Sequence, residues 1–561
     1  MAYFLKKTKQ NNNKIYLSIV ESFYNHNKKG TAHRTYKSLG SIETHISNGI
    51  SDPIAHFQKE VDKLNSAKKE QGTPKITDVS RNQYAGHFLF KAVLEKLSVE
   101  KYMDVLTSVY KFEYSLYDLV SSLIYARVLE PCSKYRTLNE ILPSTYGTSH
   151  KTFSYDQLLD GLAFIGNDYE KFVELFRIHT HEKFGIDTST TYFDCTNFFF
   201  EIDREDDFRR KGPSKENKRS PIVGMGLLLD KNQIPIAMKI YPGNQSEKPI
   251  LRDTINKLKE QHNVVGKTIH VADKGLNCAE NIAFSKKSGD GYLFSKSVKG
   301  LPEVEKTWVL NPNGFKEAKD KEGKIIYYYK SCVDKFPYTV ELNGKKETVK
   351  LTEKRLLTYN PSLATKKKYE INKMVEKAKN QVLSKAKRNE YGEGGKYINF
   401  TDENGEKAIV SINEEAIKKD LRFAGYNLLV TSEVKMHDDE IYSTYHNLWR
   451  IEESFKIMKS DLDARPVHLQ KEERIKGHFL ICYLSVLLER LLQFKVFKEQ
   501  YSSSEIFKFI RNFNITKVED KYVNNATTNT IITELAKGLD LPLLNCYLSE
   551  TSLKTIFNKK L

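Results

Sequence analysis

The stretch TYFDCTNFFFEI, residues 191–202, is the part of the sequence that decides the fold. Its aromatic residues and threonines are typical of a buried β-strand. One acid, Asp194, stands inside this strand. A carboxylate at the centre of an apolar strand is costly to bury unless it is paired or binds a cation. The stretch therefore predicts a central strand that carries a functional carboxylate.

Further strand-like and helical patterns follow this strand. Strands are predicted at 222–230, 234–244, 268–275 and 291–298, and helices at 249–263 and 277–287. The order along the chain is three strands, a helix, a fourth strand, a helix and a fifth strand, which is the order of an RNase H-like α/β fold. Asp273 ends the fourth strand, where Lys274 begins a loop. A single acid at a strand end is more often a turn or capping residue, but the pair of acids favours a metal site.

A late helix carries the sharpest spacing. We expect it to begin near Asp438–Asp439 and to run through IYSTYHNLWRIEESFKIMKSDL, residues 441–462. Tyr445, Glu452 and Lys459 are spaced by sevens, which is nearly two full helical turns, so one face would carry all three. Glu453 would point about 100° away from that face. The alternative is an amphipathic helix with solvated charges and an apolar core of Trp449, Ile451, Phe455 and Met458.

Composition and charge limit the classes of function. The formal net charge is +17 over 561 residues, and an excess of Lys and Arg favours a polyanion such as nucleic acid, although a basic surface can also serve solubility alone. No apolar run approaches the roughly 20 residues that span a bilayer, and the N-terminus lacks a signal-peptide pattern. The six cysteines are scattered without a C-x-x-C pair, which argues against a disulfide framework or a structural zinc site.

The length predicts several domains. The expected divisions are an N-terminal β-hairpin and linker (1–75), a helical DNA-binding domain (76–186), the first part of the RNase H-like core (187–299), a β-rich insertion domain (300–420), the second part of the core (421–497) and a C-terminal region (498–561).

Three motifs carry a resemblance to a known family. D-C-T at 194–196, V-A-D-K-G-L at 271–276 and Y-x6-E-x6-K at 445–459 resemble the catalytic triad of bacterial insertion-sequence DDE transposases. The subgroup resembled has a Y-x2-R-x3-E-x6-K signature and a β-rich insertion before the glutamate. Leu448 stands at the arginine position of that signature, and Arg450 is a candidate substitute on a different face of the helix.

The resemblance implies a DNA transposase that cleaves transposon ends and joins them to target DNA. It implies two Mg²⁺ ions, with Mn²⁺ as a possible replacement, held by Asp194, Asp273 and Glu452. The implied partner is double-stranded DNA, bound by a homodimer in the bacterial cytoplasm, at the nucleoid, without a membrane. The expected DNA contacts are Tyr445, Lys459, Arg450, Lys456 and Arg219, the last in the basic loop 209–219.

Two further residues and two other functions stay open at this stage. Asn244 and Glu247, after the third strand, could support the metal ligands from a second layer. The first alternative function is an RNase H-like nuclease that hydrolyses DNA without strand transfer. The second is a non-catalytic DNA-binding protein derived from a transposase.

Overall fold

The computed structural model describes residues 2–11, 13–25, 29–71, 81–148, 153–215, 220–260, 267–342, 345–383, 392–403 and 406–561. The chain divides into two units, residues 1–81 with 517–522 and residues 82–516 with 523–561.

The first unit is built on an antiparallel sheet in the order β1-β2-β3. Its elements are β1 (Tyr3–Lys9), β2 (Ile15–Asn25), β3 (Gly30–Ser41), α1 (Ile42–Ser47) and α2 (Pro53–Gln71). The expected hairpin corresponds to β2 and β3, and β1 adds a third strand that its lysine-rich sequence conceals. The Asn65 side chain joins α2 to β1 by bonding both the N–H (2.7 Å) and the carbonyl (2.8 Å) of Tyr3. The expected linker, AKKEQGTPK at 67–75, is helical as far as Gln71, and its residues 72–75 lie outside the described residues.

The second unit begins with a helical segment. Its elements are β4 (Asn82–Tyr84), α3 (Phe88–Leu97), α4 (Glu100–Val109), α5 (Leu116–Leu129), α6 (Lys134–Arg136), α7 (Tyr155–Asn167) and α8 (Tyr169–Phe184). Helix α7 begins at a capping box in which the Ser154 side chain accepts from the Gln157 N–H and the Gln157 side chain bonds the Ser154 N–H. Helix α5 is almost wholly buried, which its uniformly apolar sequence requires.

A mixed sheet of nine strands forms the centre of the second unit. Its strands are β5 (Thr190–Phe199), β6 (Ile222–Leu229), β7 (Pro235–Pro242), β8 (Ile269–Ala272), β9 (Gly291–Lys296), β10 (Lys316–Lys319), β11 (Ile325–Leu342), β12 (Lys345–Tyr359) and β15 (Tyr426–Thr431). They lie in the order β10-β11-β12-β15-β9-β8-β5-β6-β7. Strands β5, β8 and β9 are parallel to one another, and the other neighbouring pairs are antiparallel.

Three helices accompany this sheet: α9 (Glu247–Glu260), α10 (Ala279–Lys287) and α11 (Glu303–Leu310). The order β5, β6, β7, α9, β8, α10, β9 along the chain is the order that the sequence predicts. One apolar cluster joins Phe193 of β5, Ile250 of α9 and Leu357 of β12. Strands β10, β11 and β12 therefore lengthen the same sheet, and residues of β11 and β12 share its core.

Between β12 and β15 the chain contains α12 (Pro361–Leu383), β13 (Ile398–Glu403), β14 (Glu406–Ile412) and α13 (Glu414–Arg422). A small apolar cluster of Ile371, Val375, Tyr397 and Ile417 holds these elements together. The Tyr397 hydroxyl donates to Asp420 at 2.8 Å, so the charged face of α13 is fixed to this cluster.

The late helical region differs from the prediction. Its elements are α14 (Asp438–His446), α15 (Trp449–Lys456), α16 (Glu472–Arg490), α17 (Ser503–Asn512), β16 (Asn514–Val518), β17 (Lys521–Asn524), α18 (Thr530–Gly538), β18 (Tyr547–Leu548) and α19 (Glu550–Phe557). The prediction of one continuous helix over 438–462 is wrong, because it breaks between His446 and Trp449 and widens into a π-turn at Ile457–Asp461. Helix α16 is deeply buried, as its apolar sequence predicts.

None of the described helices combines the length and the apolar composition that crossing a membrane demands.

Candidate active site

Two of the predicted carboxylates lie side by side because of the sheet register. Strands β5 and β8 are parallel neighbours, with Phe193 opposite Ala272. Asp194 and Asp273 each follow that pair by one residue, and neighbouring strands are about 4.8 Å apart. The negative charge of Asp273 is one of the groups that raise the pKa of Asp194. The structure therefore brings these two acids together at one end of the parallel strands.

Asp194 faces away from the apolar cluster of its own strand. Phe193 and Cys195 both belong to that cluster and are fully buried. Because side chains alternate along a strand, the carboxylate between them points to the opposite face. Its side chain is only 20% exposed. Burial raises the pKa of Asp194 to about 6, against the opposing effects of the Lys215 charge and of the Cys195 N–H, which donates to Oδ1 at 2.7 Å.

Lys215 supplies a positive charge directly beside Asp194. Its Nζ lies 3.6 Å from Asp194 Oδ1 and 3.8 Å from Glu247 Oε1, and it donates a hydrogen bond to the carbonyl oxygen of Cys195. Burial alone would lower the pKa of Lys215, but the carboxylates of Asp194 and Glu247 outweigh it and raise that pKa. The ammonium is thus held between two acids and a carbonyl, oxygen donors that a hard cation also prefers.

Tyr445 is placed against the second aspartate. Its hydroxyl donates to Asp273 Oδ1 at 3.0 Å from the last turn of α14. Burial, and then the Asp273 charge, raise the pKa of Tyr445 above its ordinary value, so the hydroxyl stays a donor. The sequence predicts a DNA contact for this tyrosine, whereas the structure gives its hydroxyl a carboxylate partner within the site.

Glu452 lies beyond the turn that joins α14 to α15. The chain turns tightly there, with N–H groups of Leu448, Arg450 and Ile451 each bonding the carbonyl three residues earlier, at 3.0–3.1 Å. This tightened turn changes the helical angle between Tyr445 and Glu452 from that of a regular α-helix, and the Glu452 side chain is exposed. Among the described residues, no three His, Cys, Asp or Glu side chains are close enough to hold a metal ion together.

Lys459, in the π-turn after α15, lies close enough to Asp194 for the two charges to interact. Burial and then the Lys215 charge lower the pKa of Lys459 to about 8, against the opposing effect of the Asp194 charge. Its Nζ is 5.4 Å from the centre of the Phe198 ring, which belongs to the same strand as Asp194. The structure thus groups Asp194, Asp273, Lys215, Tyr445 and Lys459 around the middle of β5, beside the end of β8.

The other expected DNA contacts lie elsewhere. Arg450 forms ion pairs with Glu499 (3.0 Å) and Glu453 (3.5 Å) and lies 4.2 Å from the centre of the Trp449 ring. Lys456 is exposed at the end of α15. Arg219 lies outside the described residues. Arg450 is therefore engaged by protein side chains and does not lie among the aspartates.

The neighbouring acid Glu453 has a different environment from Glu452. Its Oε2 accepts from Arg490 at 3.1 Å, and Arg490 is fully buried. Arg490 also donates to Gln493 at 2.5 Å. Glu453 thus joins α15 to α16. In the alternative prediction of an apolar core, Ile451, Phe455 and Met458 are buried, but Trp449 is 49% exposed.

Lys215 is the site residue that sequence reasoning missed. It appears there only as one of several basic residues in the loop 209–219, and Glu247 is only a candidate for a supporting position. No local pattern distinguishes Lys215 from Lys211, because the contact depends on how the loop folds back on β5. Only the carboxylates of Asp194 and Glu247 near its ammonium distinguish Lys215 from the other lysines of the loop. Their proximity depends on the tertiary fold and cannot be seen in the sequence.

Comparison with known proteins gives one family. Residues 197–488, just over half of the chain, match the family model described as Transposase DDE domain. The match contains Asp273 and Glu452 and begins three residues after Asp194. A search of curated proteins gives no match. The chain therefore belongs to the family of DDE transposases, enzymes whose partner is DNA.

Proposed function

We propose that this protein cleaves DNA at transposon ends and joins the freed 3′ ends to target DNA, with Asp194, Asp273 and Glu452 as its metal ligands. The observation that carries the proposal is the pair Asp194 and Asp273 on adjacent parallel strands. Two carboxylates at that distance repel each other, and Lys215 compensates one of them. Such a site favours a cation more strongly charged than an ammonium.

An RNase H-like core is the proposed architecture. The part of the sheet in the order β7-β6-β5-β8-β9, with β5, β8 and β9 parallel, supports it. In chain order the first of these strands, β5, contains Asp194, and the fourth, β8, is directly followed by Asp273. These two strands are neighbours in the sheet. The strands β10–β12 and the cluster of α12 and α13 form the proposed insertion before Glu452.

The residues present fit a divalent ion with oxygen ligands. Asp194 and Asp273 offer carboxylate oxygens, which Mg²⁺ and Mn²⁺ prefer over nitrogen or sulfur. When bound, two such ions would activate a water or a 3′-hydroxyl and stabilise the leaving oxygen. Tyr445 orients Asp273 through its hydrogen bond. Lys459, close to the aspartates, is positioned to neutralise a DNA phosphate.

Glu452 completes the ligand set in this proposal by a change at the turn between α14 and α15. In a continuous helix Glu452 would lie on the face of Tyr445, about 10 Å further along the axis. Residues 447 and 448 are the only ones between the two helices. A local helix adjustment of this kind is a known form of active-site closure. DNA and metal would favour the closed form by binding it more tightly.

A strand-transfer assay tests the proposal. Pre-cleaved ends of the element that encodes the chain are incubated with a target plasmid and Mg²⁺ or Mn²⁺. We expect joined product from the wild type and none from Asp273→Asn, since one ligand and the Tyr445 acceptor are weakened. Asp203→Asn is the matched control, because Asp203 is an exposed acid outside the site.

The possible outcomes separate the three functions. Cleavage of intact ends in a parallel reaction, without any joining of pre-cleaved ends, would identify a nuclease. Binding without any cleavage would identify a non-catalytic DNA-binding protein. Full activity in Asp273→Asn would overturn the assignment of the site. Sedimentation of the protein with paired ends tests the proposed homodimer, which is expected to appear as two chains per pair of ends.

A further inference from the structure

A basic cavity lies away from the two aspartates, between the helical segment and the chain that follows α15. It has a volume of about 330 Å³. One wall is formed by the end of α5 and by residues 131–136, and the other by residues 463–469 and α16. Three side chains at this cavity are buried bases, Arg127, Lys134 and His478, with exposures of 5–6%.

The positive charge of the cavity is not compensated by acids. The Arg127 guanidinium donates to two carbonyl oxygens, of Cys132 (3.1 Å) and Leu462 (3.4 Å), and its Nε has no hydrogen-bond partner. For the Lys134 ammonium no hydrogen bond or ion pair is found within the described part of the chain. Burial, and then the nearby Arg127 charge, lower the pKa of Lys134 to about 7.

The other charged groups at the cavity do not change this balance. Arg136 is already paired with Glu140 (2.9 Å) and Glu130 (3.3 Å). Asp463 is the one acid among the lining residues, is exposed, and forms no ion pair with Lys134. Burying cations without a counter-charge costs several kcal/mol. An anion that entered the cavity would offset this cost.

We propose that this cavity binds a backbone phosphate of the DNA on which the enzyme acts. Lysine and arginine are the usual partners of phosphate oxygens. Arg127 and Lys134 offer donors to one anion, and the volume leaves room for the attached sugar. DNA is favoured over a free phosphate because the chain belongs to a family that acts on DNA. The exposed Arg136 and His468 line the same opening.

The chain that lines the cavity also contacts the strand that carries Asp194. Arg465, next to the lining residue Pro466, lies 5.1 Å over the ring of Phe199, the last residue of β5. We therefore expect one DNA duplex to reach both the cavity and the aspartates, which rests on the proposed function.

The first experiment compares Lys134→Met with Lys101→Met, which removes an exposed lysine from α4 of the same helical segment. Affinity for an end-containing duplex is measured against salt concentration. We expect Lys134→Met to bind about tenfold more weakly and to lose about one unit of the salt slope, as one phosphate contact requires. Lys101→Met should match the wild type. Unchanged affinity and slope in a folded Lys134→Met would overturn the proposal.

The second experiment uses the wild-type chain and so does not depend on the folding of a variant. Duplexes carrying one neutral methylphosphonate are scanned through ten positions on each side of the cut. One position should weaken binding about tenfold; a flat scan would contradict the proposal. Inorganic phosphate is tested separately by thermal shift. If it raises the Tm while the scan is flat, the cavity binds a free anion and the DNA assignment fails.

The failure of this proposal can be distinguished from failure of the proposed function. Both experiments measure binding and need no catalysis, so they can be repeated with the Asp273→Asn variant. If that variant keeps the effect at the cavity but also keeps full cleavage, the catalytic assignment fails while the phosphate site stands. If cleavage is lost and no phosphate position matters, the phosphate site fails alone.

Discussion

Asp194 and Asp273 are positioned in a different way from Glu452. The two aspartates are held by the hydrogen-bonded register of β5 and β8, which places residues 79 positions apart side by side. Glu452 depends on a turn of two residues between α14 and α15. The strand register therefore fixes the two aspartates relative to each other, while the position of Glu452 follows the geometry of that turn.

The largest expected effect separates Glu452 from its neighbour Glu453. We expect Glu452→Gln to reduce cleavage by about 10²–10³-fold, similar to the loss of a strong charge-stabilising group, with the free energy of unfolding unchanged because Glu452 is exposed. Glu453→Gln should keep most of the activity but lower the free energy of unfolding by about 1–3 kcal/mol, since Arg490 loses a charged partner.

Cleavage assays and urea unfolding of the two variants provide the measurement. Wild-type cleavage by Glu452→Gln would show that the helical segment contributes no ligand, and that the two aspartates act with some other group. Equal loss of stability in both variants would contradict the different environments of the two acids.

The hydrogen bond between the regions is tested by Tyr445→Phe. This bond joins α14 to Asp273 at 3.0 Å. Removing the hydroxyl should weaken Mn²⁺ binding or activity by about 10–100-fold, as for other groups that orient a metal ligand. Tyr442→Phe is the control, because its ring stacks on Tyr327 at 4.1 Å and takes no part in the site. Equal behaviour of the two variants would assign Tyr445 a packing role only.

The Lys215→Met variant tests whether the Lys215 ammonium competes with a metal ion for the aspartate pair in the absence of DNA. An ammonium near 4 Å contributes about 1 kcal/mol in a water-like environment, which corresponds to roughly fivefold in affinity. We expect the variant to bind Mn²⁺ about fivefold more tightly, measured by electron paramagnetic resonance. Lys211→Met in the same loop should leave the affinity unchanged. Weaker binding in Lys215→Met would mean that Lys215 supports the metal site and does not compete with the ion.

The smallest expected effect concerns the turn itself. Asn447→Ala favours a continuous helix by about 0.5 kcal/mol and removes a side chain that hydrogen-bonds Tyr192 of β5. Mn²⁺ affinity should rise about twofold. Asn447→Gly removes the same side chain but disfavours helix, so it should give no gain. An equal gain in both variants would attribute the effect to the lost Tyr192 contact and not to straightening of the helix.

The strand order and the two aspartates could be predicted from the sequence because their signals are local. The acid within the aromatic strand, Asp194, and the acid directly after IHVA, Asp273, remain visible without any tertiary contact. Burial of α16 could also be predicted, since its apolar residues surround the whole helix. These features depend on the periods of strands and helices, which are written in the residues themselves.

The break at Asn447–Leu448 and the contacts of Lys215 could not be predicted in this way. Neither proline nor glycine marks the break, and asparagine and leucine both occur within helices. Leu448 is buried, so tertiary packing outweighs local helical preference at this turn. The pairing of β12 with β15 is equally non-local, because more than sixty residues of chain separate them. The periodic pattern of apolar residues in the sequence does not show where tertiary packing outweighs local helical preference or which distant strands pair.

The pairing of β12 with β15 has a consequence for attempts to simplify the protein. Residues 354–359 of β12 pair with β15 along the full length of one of its edges, and β9 pairs with its other edge. A shortened chain without the inserted strands would present a bare row of N–H and C=O groups along β15, together with the apolar side chains of Leu428 and Val430. Exposed edges of this kind recruit other chains into aggregates. Strand β12 therefore also protects this sheet from aggregation, and a chain without β12 would need another element to cover the edge of β15.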